Sequence, residues 1–444
     1  MTYKKYEDYK NCFNYIVDDI PVSWEICKMK HFCTVKDGTH DTPKYIEKGE
    51  CSYPLITSKD IINGEIVFND CKYISESDFI NINKRSDVKQ YDVIMPMIGT
   101  IGNPAIVISE KNFSIKNLAL FKTNLNFYKA KFIKYILESS FIDEQINLLT
   151  RGGVQNFVSL TILNNLFIIN PNEDLDKIVR FLDKKTSEID TLIEEKEKLI
   201  ELLKEKREAI ITEAITKGID KNVKMKDSGV EWIGVIPESW NISKIKYSTY
   251  VKGRIGWQGL KSEEFIDEGP YLVTGTDFEN GRIDWNKCYH ISEERYNEAI
   301  PIQLRENDLL ITKDGTIGKI AIVTNKPNKA ILNSGIFVTR CLNSEYYTEF
   351  MYFILNSKVF SNYIKYMETG STIKHLYQET FENFKYMLPN KSEQMKIVDY
   401  IKNKVKNLDE IINKITLEIN LLNEYKKSLV SEVITGKIDI RNEV

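Results

Sequence analysis

Ile20-Pro21-Val22-Ser23-Trp24 returns 216 positions later as Ile236-Pro237-Glu238-Ser239-Trp240. Gly99-Thr100-Ile101-Gly102 returns at the same offset as Gly315-Thr316-Ile317-Gly318, and Ser114-Ile115-Lys116-Asn117 as Ala330-Ile331-Leu332-Asn333. The offset grows to 218 near Gly152 and Gly370, and then to 219. There Ile178-Val179 pairs with Ile397-Val398, and Glu213-Ala214-Ile215-Thr216 with Glu432-Val433-Ile434-Thr435. The order is kept and the drift is small, so the chain consists of two similar halves. A unit this long is no solenoid repeat and reads as a duplicated domain-plus-helix module. Two copies that share a framework but differ in side chains point to two related, unlike ligands.

Each half has the same internal order. Short strand-like runs come first, Tyr91 to Met97 and Ala105 to Ile108 against Asp308 to Thr312 and Ile320 to Val323, with Gly, Asn and Asp as turns. A turn of small residues follows, Arg151-Gly152-Gly153 or Thr369-Gly370-Ser371-Thr372. A strand-like run then ends at Pro171 or Pro389, and a long helix begins.

The second helix, roughly Glu393 to Ile434, keeps a heptad. Val398, Val405, Ile412, Ile419 and Val433 form one row; Ile401, Leu408, Ile415, Leu422 and Leu429 form the other. Carried back by 219, the register gives Val179, Ile193, Ile200 and Ala214, with Leu182, Ile189, Leu203 and Ile210. Thr186, Lys196 and Arg207 interrupt the first helix, and Lys426 the second. Arg207 and Lys426 hold equivalent seam positions. They either fix the register or lay their stems along the seam with their heads in water. Some 40 residues at 1.5 Å each span about 60 Å. Glu194, Glu195, Lys198 and Glu201 read as a solvated face.

The predicted fold is α+β. Two similar mixed α/β domains are separated by two long helices in an antiparallel coiled coil, with a pseudo-two-fold internal repeat. The expected boundaries are an N-terminal extension 1–19, a first domain 20–170, a first spacer helix 171–219, a linker 220–235, a second domain 236–388 and a second spacer helix 389–440. An antiparallel pair relates the halves by an approximate two-fold, as DNA relates its own strands.

Composition bounds the rest. At 444 residues and 42% hydrophobic content the chain exceeds one core. A net charge of -3 and a pI near 6.0 argue against a uniformly basic DNA-binding surface. They leave room for a local basic groove masked by acidic helices, and for a partner that neutralises phosphates. The polar stretch Met1 to Asp19 does not read as a signal peptide, and no run of apolar residues is long enough to span a membrane. Seven cysteines without a CxxC pair fit reduced thiols in a cytoplasm. Cys27, His31 and Cys33 lie close together, but no second ligand pair follows, so a strand interior outweighs a metal site. Gly315-Thr316-Ile317-Gly318-Lys319 fails the phosphate-loop spacing: Lys313 stands where the first Gly belongs, and Ile320 where Ser or Thr belongs. A turn between strands is the better reading.

These residues resemble the specificity subunits of Type I restriction-modification systems over nearly the whole chain. The marks are Ile-Pro-x-Ser-Trp opening each domain, and Tyr91-Asp92-Val93-Ile94 before Gly99-Thr100-Ile101-Gly102. Asn307-Asp308-Leu309-Leu310-Ile311 before Gly315-Thr316-Ile317-Gly318 repeats the second mark. Asp227-Ser228-Gly229-Val230-Glu231-Trp232-Ile233-Gly234 and Ile434-Thr435-Gly436-Lys437-Ile438-Asp439 complete the set. The segment before Ile20 departs from it, with Tyr15-Ile16-Val17 where the second half has Trp232-Ile233-Gly234.

The resemblance implies a non-catalytic, cytoplasmic DNA-binding subunit whose two target-recognition domains each read half of a split, asymmetric site in double-stranded DNA. It implies two methyltransferase subunits docked on the helices, which carry S-adenosylmethionine and methylate adenine, and motor-nuclease subunits that cut unmodified DNA. No cofactor is expected in this chain.

Base readers are sought where loops correspond but side chains differ. In the first half these are Lys36, Thr39, His40, Thr42 and Lys44, then Arg151, Gly152, Gly153, Gln155 and Asn156. In the second they are Lys252, Arg254, Trp257, Gln258 and Lys261, then Ser371, Thr372, Lys374 and His375. The competing reading makes Trp257 a core residue and the small-residue turns ordinary surface. Asn117 and Asn333 read as turn caps, because Asn recurs in both halves.

Two other classes compete. An adenine methyltransferase needs a Pro-Pro-aromatic motif, and the chain has no Pro-Pro; a fused nuclease needs a carboxylate cluster that is not found. A coiled-coil scaffold without DNA readout would not need Lys, Arg, Gln and Thr on divergent loops.

Overall fold

The heptad rows become two helices, Leu175–Lys217 and Lys391–Ile434. The computed structural model describes residues 3–12, 17–99, 101–150, 157–254, 260–367, 375–441 and 443. They form two units: Met1–Glu197 with Thr416–Val444, and Lys198–Ile415. Each unit holds part of both long helices.

Charge pairs fix how the helices run. In the first unit Lys426 Nζ donates to Asp190 at 2.6 Å and Lys196 Nζ to Glu418 Oε2 at 2.6 Å. In the second unit Arg207 Nε donates to Asp409 Oδ1 at 2.9 Å. In the first unit one residue number rises as the other falls, so the pairing there is antiparallel. The two seam cations choose register over snorkelling. Asp190 and Asp409 are themselves 219 apart, so each helix lends the other one cation and one carboxylate in matching positions.

Both members of each pair are part-exposed, so each pair is worth at most about 1 kcal/mol. Asp190→Lys is expected to cost about 1 kcal/mol through like-charge contact with Lys426, and adding Lys426→Asp should restore most of it. Urea unfolding of the two single variants and the double variant measures this. No recovery in the double variant would show that the pair sets nothing.

In the first unit a four-stranded sheet runs in the order Ala105–Ile106, Val93–Pro96, Leu118–Lys122, Thr34–Asp37. Beside it lies the sheet Ser114–Ile115, Ser52–Ile56, Lys72–Ser75. The second unit repeats this as Thr249–Gly253, Ile336–Cys341, Leu309–Thr312, Ile320–Ile322, extended by Arg282–Ile283 and Phe278–Glu279. Its companion sheet is Tyr289–His290, Ile266–Val273, Ala330–Leu332.

The central strands read as unbroken apolar runs because both faces are covered. Val93 and Met95 join the core that holds Trp24 and the helix residues Ile178, Val179, Leu182, Leu429 and Val433. Ile94 joins an opposite core with Ile56, Ile115 and Leu120. Leu309 and Ile311 against Leu310 divide in the same way in the second unit.

The quoted motifs build the joint between domain and helix. Each long helix ends on a left-handed glycine, Gly218 (φ 75°) or Gly436 (φ 72°), a conformation that favours residues without a Cβ. A Cβ on Gly436 would lie 2.4 Å from Pro21 Cδ and 3.1 Å from Trp24 Cε3; one on Gly218 would lie 3.3 Å from Trp240 Cζ2. Ile-Pro-x-Ser-Trp is therefore the seat of a helix end. Trp24 N and Trp240 N donate to Pro21 O and Pro237 O, both at 2.9 Å, and both indoles are buried.

The hairpin before each seat also repeats, despite unlike sequences. Tyr9 pairs with Pro21 as Met225 pairs with Pro237. Residues 13–16, where the first half departs from the second, lie outside the described residues.

The Asp of the strand motif is a structural hub. Asp92 accepts from Lys89 N at 2.8 Å and pairs with Lys122; Asp308 accepts from Arg305 N at 2.7 Å and pairs with Arg340 at 2.7 Å. Burial pushes the Asp308 carboxyl up, against the pull of Arg340. Gly99, Gly102, Gly315 and Gly318 all take positive φ in the turn between two antiparallel strands. That is the turn expected there in place of a phosphate loop.

Candidate nucleic-acid interface

In the first unit the candidate loop leaves the edge strand Thr34–Asp37. Gly38 N donates to Leu118 O and Thr39 N to Ile115 O, both at 3.0 Å, so the chain is held to one strand of each sheet. A Cβ on Gly38 would fall 2.1 Å from Ile115 O, so only glycine fits there. Beyond it His40, Thr42 and Lys44 are exposed, and Lys36 and Thr39 are half-buried.

Asp37, 4% exposed, organises this surface. Its Oδ1 accepts from Arg85 Nε at 2.6 Å, and its Oδ2 lies 2.9 Å from His40 Nε2. His40 Nδ1 lies 3.0 Å from Asn117 Oδ1. Asn117 has φ 55° and its carbonyl accepts from Met97 N, so it is a turn residue as expected, and it also braces His40. Lys116 Nζ donates to Thr42 Oγ1. The loop thus gathers Arg85 and Lys116, which sequence reasoning did not select. Arg85 lies 48 residues from Asp37 and belongs to no repeated motif, so only the fold pairs them.

The second unit differs at this position. Gly253 stands where Asp37 stands, and a Cβ there would meet Phe337 Cδ1 at 3.0 Å and Ile336 O at 3.1 Å. Lys252 and Lys261 are exposed. Arg254 corrects an expectation: it is 3% exposed, and its Nε donates to Leu332 O at 3.0 Å. Burial, and then the like charge of Arg295, pull its guanidinium below the ordinary value. It supports a strand and offers no edge to a ligand. His375 is part-exposed, is hydrogen-bonded through Nδ1 to Asp314 Oδ1, and packs edge-on against Tyr377 at 4.8 Å. The Asp314–His375 bridge ties the Gly-Thr-Ile-Gly turn to the chain after the small-residue turn, as Ile98–Phe157 does in the first unit. Arg151, Gly152, Gly153, Gln155 and Asn156 lie outside the described residues, as do Trp257, Gln258, Ser371, Thr372 and Lys374.

Residues 256–421 match the model of the Type I restriction modification DNA specificity domain. The MjaVIII specificity subunit of Methanocaldococcus jannaschii is 24% identical, with 100% of this chain and 98% of the relative covered. The EcoBI specificity subunit of Escherichia coli is 23% identical over 94% of this chain and 86% of its own. Over nearly its whole length the chain is similar to Type I specificity subunits. A solved chain from a type I restriction-modification system, studied for complex assembly and conformational transition, shares its fold with TM-score 0.68. It is 14% identical, and 94% of this chain and 99% of that one are covered.

Within the chain, the framework recurs in both halves: the Trp seats, the helix-capping glycines and the Asp hubs. The exposed loops carry what is individual to it. Among the described residues no helix is long and apolar enough to cross a membrane.

Proposed function

We propose that this chain is the DNA-reading subunit of a Type I restriction-modification complex in the cytoplasm. Each domain reads one half of a bipartite, asymmetric site. The chain has no catalytic role of its own. Two methyltransferase subunits, carrying S-adenosylmethionine, methylate adenine within the site, and motor-nuclease subunits restrict unmodified DNA. The observation that carries the reading is one framework used twice with unlike loops, as where buried Asp37 has Gly253 for its counterpart. Lys36, Thr39, Thr42, Lys44, Lys252, Lys261 and His375 are the described residues proposed to face DNA. Arg151, Gly152, Gly153, Gln155, Asn156, Trp257, Gln258, Ser371, Thr372 and Lys374, outside the described residues, belong to the same proposal.

Coexpression with an adenine methyltransferase subunit encoded beside it, followed by mapping of methylated adenines, tests this. A split motif that needs both chains is expected. Replacing residues 20–170 by the same domain of another family member should change one half of the motif and leave the other intact. A change in both halves would defeat the modular reading, and methylation by this chain alone would make it an enzyme.

A further inference from the structure

We infer that Arg85 reads a guanine in the half-site of the first domain, aimed by Asp37 and braced through His40. This rests on the DNA-reading role proposed above. Asp37 closes the edge strand and is buried, so its carboxylate cannot swing. Three donors converge on it: Arg85 Nε at 2.6 Å and Nη2 at 2.5 Å on Oδ1, and His40 Nε2 at 2.9 Å on Oδ2. The Arg85 side chain nonetheless stays 56% exposed. The clamp occupies Nε and one hydrogen of Nη2, which leaves Nη1 and the other Nη2 hydrogen for a further acceptor. Two parallel N–H donors of this kind match the O6 and N7 acceptors of guanine in the major groove.

A phosphate contact explains the arrangement less well. Phosphate takes a cation from many directions, and a fixed fork gains little there. Phosphate contacts should also recur in both halves, whereas the clamp belongs to one. Its place in the second unit is taken by Gly253, which has no side chain and where a Cβ would crowd Phe337 Cδ1 at 3.0 Å and Ile336 O at 3.1 Å. A device found in one half only is what an asymmetric site requires. His40 has both ring nitrogens beside oxygens, Asp37 Oδ2 and Asn117 Oδ1, so it acts as a positioning residue and Arg85 makes the contact.

The test uses the full chain coexpressed with its methyltransferase partner, with the motif read from methylated adenines in host DNA. The wild-type motif should contain a G·C pair in the half governed by residues 20–170. Arg85→Ala and Arg85→Lys should each weaken preference for that pair about tenfold or more, leaving the other half unchanged. Arg85→Gln should shift the preference toward adenine, a gain that a misfolded variant cannot produce. Asp37→Asn should weaken the same position to a lesser degree. If the wild-type complex yields no split motif, the DNA-reading role itself falls. If the motif appears and the Arg85 variants keep every base, the role stands and this inference falls.

Discussion

Trp24→Ala is expected to remove about 3–5 kcal/mol from the first unit. That is a large share of the roughly 5–15 kcal/mol that holds a domain folded. Trp24 is wholly buried, packs edge-on against Tyr6 at 5.5 Å and touches the glycine that ends the second long helix. Truncation leaves a cavity at the joint between domain and helix, where relaxation would have to move a backbone. Trp240→Ala should do the same to the second unit, where Trp240 sits against Gly218. Trp24→Phe should cost far less, because Trp24 Nε1 is buried without a hydrogen-bond partner among the described residues and phenylalanine removes that burden. The earliest unfolding transition in urea, followed by far-UV circular dichroism, measures all three. Equal losses for Phe and Ala would show that the seat needs the indole itself.

A second large effect is expected on DNA spacing. Deleting 198–204 together with the facing 411–417 removes one heptad from each helix and keeps the pairs Asp190–Lys426, Lys196–Glu418 and Arg207–Asp409. Seven residues at 1.5 Å are about 10 Å, or about three base pairs at 3.4 Å each. The two half-motifs should keep their bases while the gap between them shortens by that amount. Methylation mapping reads both quantities at once. An unchanged gap with intact half-motifs would mean that the helices do not set the spacing.

Much of this was legible in the chain itself. The repeat of Ile20 to Trp24 at Ile236 to Trp240 announced two equal modules, and the heptad rows announced the helices. Periodicity reports which face an element buries, and apolar burial does not depend on knowing the neighbour. The seam cations Arg207 and Lys426 were visible as exceptions to the rows. Their partners were not, because Asp190 and Asp409 lie on the opposite helix and the register of pairing sets their distance.

The reading surface was less legible. Arg254 looks like a reader by type and position in a loop, yet the fold turns it inward to Leu332 O. Arg85 looks like an ordinary charge after a helix, yet it meets Asp37. Direction of a side chain depends on the space its neighbours leave, and that space comes from distant strands.

The sequence by itself determined the duplication and the paired helices, since these follow from repeated motifs and apolar spacing that local segments carry. Only the tertiary structure decided that Ile-Pro-x-Ser-Trp is a seat for a helix end, and that one half has a carboxylate clamp where the other has a crowded glycine. Both facts are contacts between residues far apart in the chain, fixed by close packing that no local pattern records.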